Sequence, residues 1–155
     1  MRRPEQSDAL SSRPRPSKLA GPQREIAQDE RFALRLGSAG DRCLRCKQPV
    51  SDLRVAGEMI DRMRAPFPFR TAGCMAKYVK ATPPDQITAV FVTDFKSGRM
   101  VDATDAWFVP AKLAGADGRR LEPDYLAFRS RADAEAAREG QPLMRWAQVV
   151  AEATN

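Results

Sequence analysis

The sequence predicts an α+β fold made of two similar small β-α-β modules with mostly antiparallel sheets. Two stretches carry this prediction, since each has an extended Phe-Arg pair, a hydroxyl residue that can cap a helix, a helical stretch, a break and a strand. The stretches begin at residues 69–71 (Phe-Arg-Thr) and 128–130 (Phe-Arg-Ser). Such a unit is common in unrelated folds, so the repeat indicates either a duplicated module or two independent occurrences.

The length of 155 residues, 43% of them hydrophobic, predicts one folded domain of ordinary size. We expect residues 1–40 to be a disordered or loosely packed N-terminal tail, because its first half is rich in proline, serine, arginine and glutamine and almost devoid of large apolar side chains. Residues 41–153 are expected to form the folded domain, with modules at about 41–110 and 111–153.

The elements of the first module follow from composition and turn residues. Residues 50–60 alternate imperfectly and predict a strand. Residues 66–70 predict an extended edge strand, because Pro68 has no amide hydrogen to donate to a ladder. Thr71 predicts the N-cap of a helix over residues 72–80.

The strongest predicted strand spans residues 87–94, which are rich in β-branched and aromatic side chains. Two more strands are expected at residues 100–103 and 106–109, the second stopped by Pro110, and the three would form a meander at the centre of one sheet. A mobile loop is predicted for residues 111–123.

The last third of the chain predicts a strand, a helix capped by Ser130 and closed by Gly140, a second strand and a short helix. These elements are expected at residues 125–128, 131–139, 142–145 and 146–153.

The candidate chemistry centres on three cysteines: Cys43 and Cys46 in a Cys-x-x-Cys loop, and Cys74 in the first turn of the predicted helix. The chain has no histidine, so a soft-metal site would use cysteine and methionine sulfur, with a carboxylate as the only other candidate. Met75 is a further candidate ligand that also suits a core position. The helix dipole is expected to lower the pKa of Cys74. A metal site, a redox pair and cysteines without a special role all stay open.

The composition argues against several function classes. The 26 basic residues are interleaved with 20 acidic ones, so no basic patch is visible and no nucleic-acid partner is expected. The longest apolar run, residues 89–92, is far shorter than the roughly 20 residues of a membrane span. Without a signal-peptide core, the chain as written is expected in the cytoplasm. No histidine base, glycine-rich phosphate loop or carboxylate pair is present, so we predict no enzyme.

Several short blocks within residues 41–153 follow the order and spacing of the NosL family. They are the Cys-x-x-Cys loop at 43–46, Phe-Pro-Phe at 67–69, Gly-Cys-Met at 73–75, and the most specific block, Val-Asp-Ala-Thr-Asp-Ala-Trp-Phe-Val at 101–109. The chain therefore resembles NosL, the accessory protein of nitrous oxide reductase.

This resemblance implies a Cu(I)-binding accessory protein, or metallochaperone, that assists nitrous oxide reductase maturation in denitrification. It also implies two α+β modules related to the organomercurial lyase fold, in a family whose members are usually periplasmic lipoproteins. By the same resemblance Cys46 is the metal-binding cysteine, Cys43 lies beside it, and Cys74 and Met75 lie at the start of the first helix. The family's Gly-Met after the second cysteine is replaced here by lysine and glutamine.

The expected partner is a copper enzyme or another copper-trafficking protein, and the oligomeric state stays open. Three thiols suffice for Cu(I), whereas zinc would need a fourth ligand such as Asp41, Asp52 or water. Two alternatives remain: a thiol-dependent enzyme on the same fold, using Cys74 with the Cys-x-x-Cys pair, and a structural or adaptor module whose cysteines bind zinc.

Overall fold

The computed structural model describes residues 40–115 and 117–154, which belong to one compact unit, Leu34–Asn155. Apart from Gly40, the tail predicted for residues 1–40 lies outside the described residues. Helices and antiparallel sheets build the described part, so the predicted α+β class is confirmed. No helix in this part of the chain is both long and apolar enough to cross a membrane.

The first sheet has four antiparallel strands: β1 (Gly57–Asp61), β2 (Pro66–Phe69), β3 (Ile87–Thr93) and β4 (Met100–Asp102). Their order is β2-β1-β3-β4, which places β2 at an edge as Pro68 predicts. The strand predicted for residues 50–60 begins only at Gly57. Asp52 starts a 3-10 turn over Leu53–Val55 by accepting the amide of Arg54 at 3.0 Å.

Helix α1 (Ala72–Lys80) follows β2 directly and begins where its capping residue predicts. Thr71 Oγ1 accepts a hydrogen bond from the amide of Cys74 at 3.1 Å, which satisfies one of the amides that a helix N-terminus leaves unpaired. The inward face of the helix buries Ala72, Cys74, Met75 and Ala76. The junction of β2 and α1 therefore holds Cys74 in a defined position at the edge of the core.

The second sheet is a separate two-stranded ribbon of β5 (Trp107–Ala114) and β6 (Leu121–Phe128). The predicted meander is confirmed for β3 and β4 but wrong for its third strand, because β5 pairs with β6 and not with β4. The predicted loop over residues 111–123 is also wrong, since most of it continues these two strands into a hairpin. Helix α2 (Arg131–Ala137) is capped by Ser130 as predicted, and helix α3 (Trp146–Glu152) is the last element of the described chain.

Pro110 does not stop β5, and the ladder explains why. The amide of Phe108 donates to the carbonyl of Met144, on the side of β5 away from β6. The nitrogen of residue 110 faces the same side, because alternate residues of a strand point their amides in the same direction. The missing hydrogen of Pro110 therefore costs no bond to β6, and proline is tolerated there.

The two halves of the described chain repeat one topology. In the first half, β1 lies between β2 and β3; in the second, β5 lies between β6 and the segment of Met144. Each hairpin ends in a phenylalanine and is followed by a capped helix. The predicted strand over residues 142–145 is only a single bridge from Met144 to Phe108. The division of the chain after residue 110 stays a prediction, and β5 runs across it.

Candidate metal centre

The Cys-x-x-Cys loop is a closed turn that docks on the edge of β2. Its ends are joined by the bridge between Arg42 and Pro49, and the amide of Lys47 donates to the carbonyl of Cys43 at 2.9 Å. Lys47 adopts a φ of 65°, the left-handed conformation that allows so tight a reversal. The amide of Leu44 donates to the carbonyl of Pro68 at 2.9 Å. The loop is thus fixed beside the start of α1.

This docking brings the three thiols together. The sulfur atoms of Cys43, Cys46 and Cys74 all lie within 4.8 Å of one another, and all three cysteines are free thiols. Two sulfurs that share one metal ion at about 2.3 Å each lie at most about 4.6 Å apart. Cys43 and Cys74 are buried, with 1% and 8% exposure, while Cys46 is half-buried. Small shifts would let all three contact one soft ion that enters past Cys46.

Cys43 is the cysteine of the group whose charged form is favoured. The thiol of Cys74 donates a hydrogen bond to it, and this contact lowers the pKa of Cys43 to about 5 against the opposing effect of burial. The amides of Cys46, Arg70 and Arg45 also donate to the sulfur and favour its charged form. Backbone amides that converge on one sulfur make it a ready ligand for a cation.

Cys74 behaves in the opposite way to the expectation from the helix dipole. Its pKa is raised, because its proton bonds to Cys43 and because burial disfavours its charge. The helix N-terminus does not overcome these two effects. Cys43 and Cys74 therefore share one proton, which an incoming cation would have to displace.

Arg70 supplies the positive charge beside the thiols. Burial disfavours its charge, but a hydrogen bond with Cys46 and the negative charge of the neighbouring sulfurs and of Asp124 outweigh this, so the pKa of Arg70 is raised. Its Nη1 donates to the carbonyl of Ala114 at 3.0 Å. Within the described residues, its Nε is buried without a hydrogen-bond partner. Arg70 is thus held between the site and the β5–β6 hairpin, ready to balance negative charge on the sulfurs.

Asp124 of β6 orients the helix that carries Cys74. Its Oδ1 accepts the amide of Gly73 at 2.9 Å, and a Cβ on Gly73 would lie only 2.8 Å from that oxygen. Burial raises the pKa of Asp124 despite hydrogen bonds from Thr71, Gly73 and Tyr125. Sequence reasoning missed both Asp124 and Arg70, and only the Phe-Arg-Thr repeat carried any signal for the arginine.

The other predicted ligands, Met75 and Asp52, have contacts of their own. Met75 is fully buried, and its thioether lies against Gly57, where a Cβ would come within 3.2 Å of Sδ. Its role as a ligand stays a prediction. The carboxylate of Asp52 is used as a cap, and the metal-capable group found among the described residues contains cysteines alone.

An open cleft of about 690 Å³ adjoins the thiols. Cys46 and Cys74 form part of its wall, together with residues of α1, β6 and the end of α3. Its charged lining is mixed: Arg45, Arg70 and Lys77 on one hand, and Glu122, Asp124 and Glu152 on the other. The cleft gives small molecules access to the otherwise buried site.

The comparison with solved structures agrees with this architecture. The fold is NosL-like. The chain is similar to the crystal structure of the copper chaperone NosL from Shewanella denitrificans, with a TM-score of 0.63 and 20% sequence identity over 74% of this chain and 93% of that chain. No protein-family model and no curated protein sequence matches the chain. At this identity the likeness shows the NosL-like fold alone.

Proposed function

We propose that this protein binds Cu(I) at Cys43, Cys46 and Cys74 and passes it to a copper enzyme or another copper-trafficking protein. The observation that carries the proposal is the convergence of three free thiols at one half-exposed point of a NosL-like fold. Thiolates in two- or three-coordinate geometry suit soft Cu(I). The structural neighbour is a copper chaperone, which supports the same proposal.

Each residue of the site has a different role in the proposed ligand exchange. Cys43, with its lowered pKa, offers a thiolate before the metal arrives. Cu(I) then replaces the proton that Cys74 shares with Cys43, and the half-exposed Cys46 is the sulfur that a partner's ligand can reach first. Three thiolates around a monovalent ion leave two negative charges, and the guanidinium of Arg70 offsets one of them. A partner thiolate would take the ion through an intermediate in which both proteins share it, with no change in the oxidation state of copper.

The finer parts of this proposal are the fourth ligand and the recipient. We propose Met75 as the additional ligand, which would require its thioether to turn away from Gly57. We propose nitrous oxide reductase as the recipient, on the resemblance to its accessory proteins. Zinc binding is the competing function, and a water molecule would then have to complete the tetrahedral site.

The test is an anaerobic titration of the reduced protein with Cu(I) against a competing chelator. We expect one-to-one binding that is lost in the double variant Cys43→Ser, Cys46→Ser. Met75→Leu, which keeps the core volume, is expected to weaken binding if the thioether is a ligand. Equal copper affinity in wild type and double variant would reject the proposal. Tight zinc binding with weak Cu(I) binding would favour the structural module.

A further inference from the structure

The cleft beside the thiols has the size and lining of a small-molecule site. Its volume of about 690 Å³ falls within the roughly 300–1,000 Å³ typical of ligand pockets. Cys46 and Cys74 are among its lining residues, so a ligand inside it would lie next to these two cysteines. A docking surface for another protein would need to be much larger and flatter than this concave space.

Several charged side chains of the cleft have few or no hydrogen bonds or ion pairs within the described residues. Within residues 40–115 and 117–154, the side chains of Arg45 and Lys77 have no hydrogen bond or ion pair, and Nε of Arg70 has no partner. Glu152 lines the same cleft and has only a long hydrogen bond from the hydroxyl of Tyr125, at 3.4 Å. Cations and carboxylates that line one pocket together fit a ligand that carries both signs of charge.

We propose that this cleft binds a small zwitterionic thiol of the glutathione class, and that the thiol delivers or removes Cu(I) at Cys46. Its carboxylates would face Arg45 and Lys77, its ammonium group would face Glu152, and its sulfur would lie beside Cys46. The transfer of Cu(I) rests on the proposed copper-binding function. The binding of the small thiol does not, because the cleft and its charges exist without the metal.

The exchange step is balanced without an oxidant or reductant. As the bond between copper and the small thiolate breaks, a bond between copper and the sulfur of Cys46 forms, and copper stays Cu(I). The proton of Cys46 is taken up by the released small thiolate, and the proton shared by Cys43 and Cys74 passes to solvent when these two sulfurs bind the ion. Binding the carrier in the cleft replaces an encounter in solution by a step between groups already held side by side.

The first experiment measures binding of S-methylglutathione to the reduced, metal-free protein by calorimetry and by NMR shifts. Its blocked sulfur cannot exchange thiols or bind copper tightly, so this arm reports the cleft alone. We expect the double variant Arg45→Met, Lys77→Met to bind about five- to tenfold more weakly, as two partly exposed ion pairs suggest. The matched control is Lys112→Met, Arg119→Met, which removes exposed charges outside the cleft and should bind like wild type.

The second experiment measures the rate of Cu(I) transfer from its glutathione complex and from its 2-mercaptoethanol complex. We expect faster transfer from glutathione, and loss of that preference in the cleft variant with unchanged affinity against the chelator. No binding of S-methylglutathione, or equal binding in the two double variants, would overturn the cleft. Binding in the cleft by a protein that takes no Cu(I) would instead reject the copper function and the exchange step while leaving the ligand site.

Discussion

The turn that carries Cys43 and the turn between β3 and β4 have the same backbone plan but different chemistry. In both, the first residue's amide bonds to the carbonyl five residues on, at 2.9 Å from Cys43 to Gln48 and 2.8 Å from Asp94 to Arg99. In both, the fifth residue closes the turn with a positive φ: 65° at Lys47 and 80° at Gly98. Asp94 thus takes the place of Cys43.

The docking of the two turns also matches. Leu44 donates to the carbonyl of Pro68 at the end of β2, and Phe95 donates at 2.8 Å to the carbonyl of Ala127 at the end of β6. The amide of the arginine that follows each hairpin then bonds to the anion: Arg70 to the Cys43 sulfur, and Arg129 to Asp94 at 3.2 Å. Both halves therefore direct backbone amides at one buried negative charge.

The difference lies in what surrounds that charge. The third helix residue of α1 is Cys74, whereas the third of α2 is Asp133, which pairs with Lys96 at 3.2 Å. Where the turn has Cys46, the other turn has Ser97, whose amide donates to Asp94 at 3.2 Å. The same scaffold thus gives a soft sulfur site in one half and a structural carboxylate turn in the other. The repeated backbone directs amides at a negatively charged group in both halves, and the surrounding side chains determine whether that group can bind a soft metal ion.

Exchanging the anion tests this comparison most severely. Cys43→Asp should keep the turn, because in the second turn the carboxylate of Asp94 accepts hydrogen bonds from the corresponding amides. It should lower Cu(I) affinity by more than the roughly 10–100-fold that loss of an outer-sphere partner costs. Cys43→Leu should in addition destabilise the fold by about 1–3 kcal/mol, since it leaves buried amides without an acceptor. Chelator competition and urea unfolding measure the two effects, and equal stability of the two variants would contradict the shared plan.

The pH dependence of stability tests the charge on Cys43 in the first turn. The folded pKa of Cys43, about 5, lies below its ordinary value of 9.0, so its thiolate stabilises the fold at high pH. This contribution is lost as the pH falls from about 9 towards 5. The difference in unfolding free energy between the reduced wild type and Cys43→Ser should shrink over this range. Ultraviolet absorbance of the thiolate should show one titration near pH 5, which Cys43→Ser lacks.

The two helix caps give a smaller and more specific contrast. Thr71→Ala and Ser130→Ala each remove a cap and should destabilise the protein by about 0.5–2 kcal/mol. Only Thr71→Ala should also weaken Cu(I) binding, because its hydroxyl positions the amide of Cys74. Thermal unfolding and chelator competition on both variants measure this, and an equal loss of copper affinity in the two would refute a local role for Thr71.

The ion pair of the second half should matter least. Lys96 and Asp133 are partly exposed, so Lys96→Met should change the unfolding free energy by at most about 1 kcal/mol and leave Cu(I) affinity unchanged. A large loss of stability in urea unfolding would mean that the second turn depends on this pair more than on its backbone bonds.

Local signals predicted much of the first half. Thr71 predicted the start of α1, because an N-cap is a contact within one turn of helix. The run of β-branched residues predicted β3. The hairpin of β5 and β6 was missed, because glycines, charges and prolines made residues 111–123 resemble a loop. Pairing across the ribbon, which no local window contains, decided the outcome.

The sequence alone determined which atoms could form a site: three thiols, no histidine, and two of the thiols at a spacing that one turn can bring together. It did not determine which thiol carries the charge. That was decided by tertiary structure, because the bond between Cys74 and Cys43 joins residues far apart in the chain and overrides the local effect of the helix N-terminus. The hydrogen bond between Asp124 and Gly73, and the cleft, likewise form only when β6 packs against α1. Contacts between such distant segments leave no period or spacing in the sequence.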